Sequence, residues 1–597
     1  MCGLFGAIGR SLRPGVFTEA LSALEYRGYD SAGIAVVTPE QVEAAPKLIK
    51  TAGPVSGLEK QAETLPDTVC AGLGHTRWAT HGPAVARNAH PHASGPVAIV
   101  HNGIIERSDA LRAEIAARGG HFHSDTDSEV IAHLIREYLA RGQSLATAGA
   151  SALPHLSGAY AFAALTRSAR GPEIFATRRQ APLVIGRSAD ALYVASDITA
   201  LVGRADEVFR LPEGASAHMR IDPDAGLCLW TTAAEEVWSP ITLTHAEIAK
   251  NGHDTFMVKE IREQPDILRR ALSMSGDVEA AGARLRAAAG ARGQVLLTGC
   301  GTSCHAGMLG AYWLGAHARL EAQCHIASEL AHRPARPDPD RTGLVLLSQS
   351  GETADTLAAR RCDTLSGLTC LSVVNVAQST MAHESDAVVD IGAGPEIGVA
   401  STKAFTASLL ALLRLALATA GTPPPAPLAE GLARLPDDIE AALAAEEALS
   451  SHAGRLSGAR SVVFLGRGRM YPVALESCLK FTELTYLPAI CHPSGEIKHG
   501  PLALIETGFP VILHAPSGSG LDADLSTYAE LRARGADVLV LTDDRAATSF
   551  AGAGAPPERI VHLPWTQPDL AVFPHAVAGQ LIAYHAATHL GRDLDKP

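Results

Sequence analysis

Met1-Cys2-Gly3-Leu4-Phe5-Gly6-Ala7-Ile8-Gly9 opens the chain, and the rest of the sequence is organised around it. Once Met1 is trimmed, which a small second residue favours, Cys2 carries a thiol and a free α-amine on one carbon. Nucleophile and base then come in a single residue. An unperturbed α-amine titrates at about 7.7–8.0, so near neutral pH a useful fraction can take the thiol proton, directly or through a water. Gly3-Leu4-Phe5-Gly6 reads as a short apolar strand whose glycines let another backbone or a ligand approach closely. The same residues suit a buried strand with an inert cysteine equally well, so the choice rests on what the remaining chain supplies.

A chain of 597 residues exceeds what one core holds, and its length predicts several domains. With 47% hydrophobic and 19% charged residues the composition is that of a globular protein. A formal charge of -13 with no Lys/Arg block argues against a nucleic-acid partner, so a small anionic ligand must be held locally. The ten cysteines lack the paired spacing of a zinc site and are too sparse for a disulfide scaffold, which fits a reducing cytosol. No basic-then-apolar leader begins the sequence, and Arg414 interrupts the apolar stretch from Ala404 to Ala420, so neither an export signal nor a membrane span is expected.

From Cys2 to about Trp230 short apolar runs dominate (Gly33 to Val37, Val97 to Val100, Ala159 to Leu165, Leu192 to Ala195), with helical stretches near Glu19 to Glu25 and Ser128 to Leu139. They predict an α+β domain of stacked sheets over residues 2–240. The second half repeats itself. VLLTGCG (295–301) matches VVFLGRG (462–468), LVLLSQSGETADTL (344–357) matches PVILHAPSGSGLDADL (510–525), and TCLSVVN (369–375) matches DVLVLTD (537–543). Continuous apolar strands alternating with helices predict two copies of one doubly wound parallel-sheet α/β domain, over 241–428 and 429–597, punctuated by Thr422-Pro-Pro-Pro-Ala-Pro427.

Four further clusters lie in the first domain: Tyr26 to Ser31, His75-Thr76-Arg77-Trp78-Ala79-Thr80-His81-Gly82, His101-Asn102-Gly103, and Ser124 to Glu129. Each has a bland explanation as a turn, a cap or a surface pair. Together with Cys2 they resemble the class II glutamine amidotransferase domain, over roughly residues 2 to 230. The resemblance implies an Ntn-hydrolase-type αββα glutaminase in which Cys2 attacks the glutamine amide and Asn102 and Gly103 form the oxyanion hole. Arg77 and Asp127 would hold the α-carboxylate and α-ammonium, Trp78, Thr80 and His81 would complete the glutamine site, and Arg27 would position the Cys2 amine.

In the first repeat, Thr298 to Ser303 and Ser348-Gln349-Ser350-Gly351-Glu352-Thr353 each end a predicted strand and open a helix, where hydroxyls and free N–H groups suit a phosphate. Capping alone would also explain them. With Glu396 to Phe405 they resemble the sugar isomerase (SIS) domain. In the second repeat Glu476, Lys480 and Glu483 share one helical face, a pattern most often seen as a solvated ion-pair stripe, and His499 follows on a Gly-flanked loop.

This whole succession resembles the isomerising glutamine–fructose-6-phosphate aminotransferase family. The resemblance implies that ammonia released at Cys2 passes inside the molecule to fructose 6-phosphate and yields glucosamine 6-phosphate, with no metal or organic cofactor, in a cytoplasmic homodimer. Ser303, Ser348, Gln349, Ser350 and Thr353 would cradle the phosphate, and Thr302, Val399 and Ser401 would contact the sugar. Glu483 would move the proton between C1 and C2, Lys480 would be its charge partner, and His499, assisting ring opening, would serve the neighbouring subunit. Family members continue past the helix matching Gln580 to Leu590 into a short tail with a Schiff-base lysine. Lys596 precedes the proline before that tail and is not given the role. The alternative is therefore an SIS-type sugar-phosphate-binding paralogue that keeps glutaminase activity with altered or lost synthase activity.

Overall fold

Along the strand Gly3–Leu12 successive side chains alternate between two apolar cores: Leu4 and Ile8 face one, Phe5 and Ala7 the other. That period of two sets the architecture of the first compact unit, Met1–Ala249. In the computed structural model, which describes residues 2–39, 45–79, 82–222, 224–274, 277–330, 332–333 and 336–595, this strand lies inside an eight-stranded sheet, between Ala191–Ala195 and Val69–Arg77. A six-stranded sheet stacks on it, with Val97–Gly103 beside Tyr160–Ser168. Both sheets are antiparallel in every pairing around these strands.

Leu4, Ile8, Leu73, Val100, Ala163 and Met219 fill the space between the sheets. Phe5, Phe17, Leu21 and Leu58 pack the helices Gly15–Leu24 and Val55–Ala62 on one outer face, and Ile99, Ile131, Ile135 and Phe162 pack Glu129–Ala140 and its neighbours on the other. The result is the four-layer αββα order the sequence predicts. Each fully buried Leu, Ile or Phe contributes roughly 1.5–3 kcal/mol to holding these layers together. A Cβ on Gly3 would come within 2.5 Å of Thr76 Oγ1 and 2.7 Å of Leu24 Cβ, so glycine there lets the central strand approach its neighbours.

Lys250–Pro597 forms the second compact unit. It holds two five-stranded parallel sheets, one ordered Glu321–Ile326, Gln294–Gly299, Thr342–Ser348, Thr369–Val374, Ala387–Asp390, the other Ala489–Pro493, Val462–Gly466, Pro510–His514, Asp537–Asp543, Ile560–Leu563. In chain order both read 2-1-3-4-5, so every pairing of repeated segments seen in the sequence becomes a pairing of equivalent strands. The two sheets share one apolar core, built by the helices Gln264–Ser273, Lys403–Ala420, Met470–Thr485 and Val572–His589.

Lys403–Ala420 is long and apolar enough to cross a membrane, but it is a core helix. Of its residues Phe405, Leu409, Leu412 and Leu415 are buried, and Arg414 spends its guanidinium on the carbonyls of Ala271 and Met274.

Candidate functional site

Antiparallel register brings the end of one strand to the start of the next. Gly3 pairs with Thr76, so Cys2 lies beside Arg77 and Trp78, and the Trp78 N–H donates to Cys2 Sγ at 3.3 Å. The facing sheet supplies the other wall: Val97–Gly103 ends at Asn102 and Gly103, and Asn102 Nδ2 donates to the Cys2 carbonyl at 2.8 Å. Burial pushes the Cys2 thiol up, while the Trp78 N–H and the positive charges of Arg77 and Arg27 oppose that rise.

The orientation of the Asn102 amide is fixed by His75. Burial lowers the His75 imidazole to about 3, so it is neutral. Its Nε2 lies 3.0 Å from Asn102 Oδ1 and 2.9 Å from the His101 carbonyl, both acceptors, which puts the proton on Nε2 and turns the Asn102 NH2 group towards Cys2. His90 packs against His75 with ring centroids 4.1 Å apart and ring planes tilted by 38°.

Cys2, Arg77, Trp78, His90, Gly103 and Asp127 line one narrow cleft. Asp127, buried, accepts from the Ile105 N–H at 2.7 Å. Arg77 is buried too and donates to the carbonyls of Gly82 and Pro83 at 3.2 and 3.3 Å. Asp30 braces the same turn by accepting from the Ala79 N–H at 2.7 Å. Arg27 pairs with Asp197, the residue that caps Ile198–Leu201. Gly103 sits at φ +119°, where a Cβ would fall 2.0 Å from the Ala159 carbonyl oxygen. Thr80 and His81 lie outside the described residues, as do Met1 and Lys596.

In the second unit the strand order reverses direction between Gln294–Gly299 and Thr342–Ser348, and ligands of such sheets bind in the crevice past these strand ends. There a cavity of about 270 Å³ is lined by Thr302, Ser303, Gln349, Val399, Ser401, Lys480 and Glu483, with Cys300, Phe405 and Leu479 among its other walls. Ser348 and Thr353 in the adjoining loop bond each other at 2.8 Å, Ser348 Oγ accepts the Gly351 N–H at 3.0 Å, and Ser350 Oγ accepts the Glu352 N–H at 3.2 Å. Glu396 accepts from the N–H groups of Thr402 and Ala404, and Glu260 from those of Ile397 and Gly398, which holds the Val399–Ser401 segment against the cavity.

Glu476 and Lys480 are each 2% exposed, so their helical face is not a solvated stripe. Lys480 Nζ donates to Glu483 Oε2 at 2.7 Å and lies 3.7 Å from Glu476 Oε1. Burial works against the Lys480 charge, yet Glu476 and Glu483 outweigh it and raise its pKa. Glu476 in turn accepts from Thr302 Oγ1 at 2.9 Å and bonds His305 Nδ1 at 2.7 Å. His499 stands apart from this cavity, exposed on its loop, with its N–H donated to the Glu496 carbonyl.

Three residues with no role assigned from sequence belong to these sites: His75, His90 and Glu476. The sequence signal was present as five histidines between 75 and 101 and as the acidic start of the Glu476/Lys480/Glu483 face.

Residues 75–203 match the family described as glutamine amidotransferase domain, and 289–418 and 455–588 each match the SIS domain. The chain is 40% identical over its whole length to the glutamine–fructose-6-phosphate aminotransferase (isomerizing) of Pseudomonas syringae pv. tomato, covering 98% of that protein. It is 38% identical, again over its whole length and 98% of the relative, to the protein of that name from Gluconobacter oxydans. Among solved structures, the C-terminal domain of glucosamine-fructose-6-phosphate aminotransferase from Francisella tularensis superposes with a TM-score of 0.53 at 32% identity, over 58% of this chain and 100% of that one.

Proposed function

This chain belongs to the isomerising glutamine–fructose-6-phosphate aminotransferase family, and from that premise we propose that it frees ammonia from glutamine at Cys2 and delivers it to fructose 6-phosphate, forming glucosamine 6-phosphate. The observation that supports this reading most is the convergence of Cys2, Arg77, Gly103 and Asp127 on one cleft, with Asn102 turned towards Cys2.

With Met1 removed, the Cys2 amine takes the thiol proton and Sγ attacks the amide carbon. The oxyanion that develops is met by Asn102 Nδ2–H and the Gly103 N–H, donors held in place before the reaction begins. Arg77 holds the glutamine carboxylate and Asp127 the ammonium; Thr80 and His81 complete the pocket, Trp78 gates the ammonia, and Arg27 steadies the amine end.

In the second cavity Ser303, Ser348, Gln349, Ser350 and Thr353 cradle the phosphate by hydroxyl and amide groups, without a lysine. Thr302, Val399 and Ser401 meet the sugar. Glu483 carries the proton between C1 and C2, with the Lys480 ammonium stabilising the enediol-like charge beside it. His499 serves a neighbouring subunit, so the working form is a homodimer, placed in the cytoplasm. The modules of this reading are 2–240 for glutamine and 241–428 with 429–597 for the sugar.

Incubation with glutamine and fructose 6-phosphate tests it. Mass spectrometry should find glutamate and glucosamine 6-phosphate in equal amounts. Cys2→Ala should lose both from glutamine while still aminating the sugar with added ammonia; hydrolysis persisting in that variant would remove Cys2 from the role. Glutamate without amino sugar would overturn the transfer step.

A further inference from the structure

Beside the sugar cavity two thiols face each other. Cys304 lies in the first turn of the helix Thr302–Trp313, buried, and Cys324 lies half-buried on Glu321–Ile326, the edge strand of the first parallel sheet. Their sulfurs are 3.8 Å apart, and Cys324 Sγ also donates to the Cys304 carbonyl at 3.4 Å. Gly307, on the same helical face as Cys304, leaves the space this requires: a Cβ there would come 2.6 Å from Cys324 Sγ. Neighbouring Cys300 is engaged elsewhere, with Thr356 Oγ1 at 3.9 Å.

We propose that Cys304 and Cys324 are a redox modification site, which a peroxide converts into a reversible disulfide that weakens binding in the adjoining sugar-phosphate cavity. One sulfur attacks a peroxide oxygen; the O–O bond breaks and hydroxide leaves, to be protonated to water. The second sulfur then attacks the resulting sulfenic sulfur, the S–O bond breaks, water departs and the S–S bond forms. Two thiols together lose two electrons and two protons, and the peroxide becomes two waters. The partly exposed Cys324 gives the oxidant its approach. Hydrogen bonding by Cys324 also lowers the Cys304 thiol to about 7, which supplies thiolate near neutral pH. A disulfide in a reducing compartment is of this transient, sensing kind.

A disulfide needs its sulfurs about 2.05 Å apart, closer than the 3.8 Å at which they stand, and on this proposal the first turn of the helix takes up part of that approach. That turn carries Thr302 and Ser303, which line the cavity, and Thr302 holds Glu476. Closure is therefore felt where the phosphate and sugar are expected to bind. The binding effect rests on the function proposed above; the disulfide itself does not.

The experiment treats the full chain with hydrogen peroxide, quenches and digests it, and maps disulfide-linked peptides by mass spectrometry. In parallel, calorimetry follows fructose 6-phosphate binding, a readout that oxidation at Cys2 leaves unaffected. We expect a linked peptide joining Cys304 to Cys324, removed by dithiothreitol and absent from Cys324→Ser, and an affinity about tenfold weaker when oxidised, within the usual range of coupling between sites. Cys324→Ser, or Cys324→Val should the serine variant misfold, should bind alike before and after peroxide. Failure to find the linked peptide in the unmodified sequence overturns the site. A linked peptide with unchanged affinity overturns its coupling to the cavity. If neither form binds fructose 6-phosphate, the functional reading fails and the mapped peptide still decides the disulfide.

Discussion

Thr302 Oγ1 donates to Glu476 Oε1 at 2.9 Å and so ties the helix after the first strand of one repeat to the helix after the first strand of the other. The same carboxylate bonds His305 and lies 3.7 Å from Lys480 Nζ, and both Glu476 and Lys480 are buried. Removing one member of a buried charge set costs about 3–5 kcal/mol when nothing else offsets the remaining charge. Here Glu483 still pairs with Lys480, so Glu476→Gln should cost about 2–3 kcal/mol of the second unit's stability, read as a lower urea midpoint. Affinity for the sugar phosphate should fall with it, while glutamate release from glutamine stays unchanged. An unshifted midpoint would mean that Glu476 does not bind the repeats together.

Much of this arrangement was readable in the chain. The short apolar runs at Gly33 to Val37, Val97 to Val100, Ala159 to Leu165 and Leu192 to Ala195 mark strands of the stacked sheets, and the doubled strand series marks two sheets of one topology. Three helices were not readable. Leu145–Ala152 buries Leu145, Ala148, Gly149 and Ala152 at helical spacing, but such small side chains give almost no apolar contrast. Ser108–Ala117 buries only Ile115. Val55–Ala62 is short and largely polar outside its buried face. At the sites, Glu476 looked like one end of a solvated stripe because nothing local tells a buried helical face from a wet one; the approach of Thr302–Trp313, whose Thr302 and His305 bond the Glu476 carboxylate, decides it. His90 acquires meaning only when folding packs it against His75.

Because His75 orients Asn102 and does not itself reach the Cys2 carbonyl, the two should act as one unit. Asn102→Ala removes an oxyanion donor and should lower kcat for glutamine hydrolysis by about 10²–10³. His75→Phe should lower kcat with little change in KM, since the donor remains but is free to turn. The double variant should be no slower than Asn102→Ala alone, because residues acting through each other are not additive. Additive losses in steady-state kinetics would separate His75 from Asn102.

Gly103→Ala should be worse than an ordinary glycine substitution. At φ +119° an L residue is strained by about 1–3 kcal/mol, and the new methyl would collide with the Ala159 carbonyl, which accepts the Ile104 N–H at 2.8 Å in the same strand end. We expect loss of glutamine hydrolysis and a lower melting temperature of the first unit by calorimetry, with sugar-phosphate binding retained. Wild-type hydrolysis in the alanine variant would show that the strand end need not hold this backbone.

Acid should destabilise both units well above the carboxylate range. An unfolded histidine titrates near 6.5, but burial lowers His75 and His575 to about 3 in the folded chain. Between those values the unfolded state binds a proton at each position that the folded state refuses, so stability rises with pH and falls as pH drops from 6.5 towards 3. Each such group contributes a slope of about 1.4 kcal/mol per pH unit. Burial also lowers His90, His92 and His514 well below their usual range, which adds to the same slope. Urea midpoints measured from pH 7.5 down to pH 5 should therefore fall in both units. His575→Gln should flatten the curve of the second unit by about one proton and leave the first unchanged. A midpoint that holds steady across this interval would require these imidazoles to accept protons inside the fold, contrary to their burial.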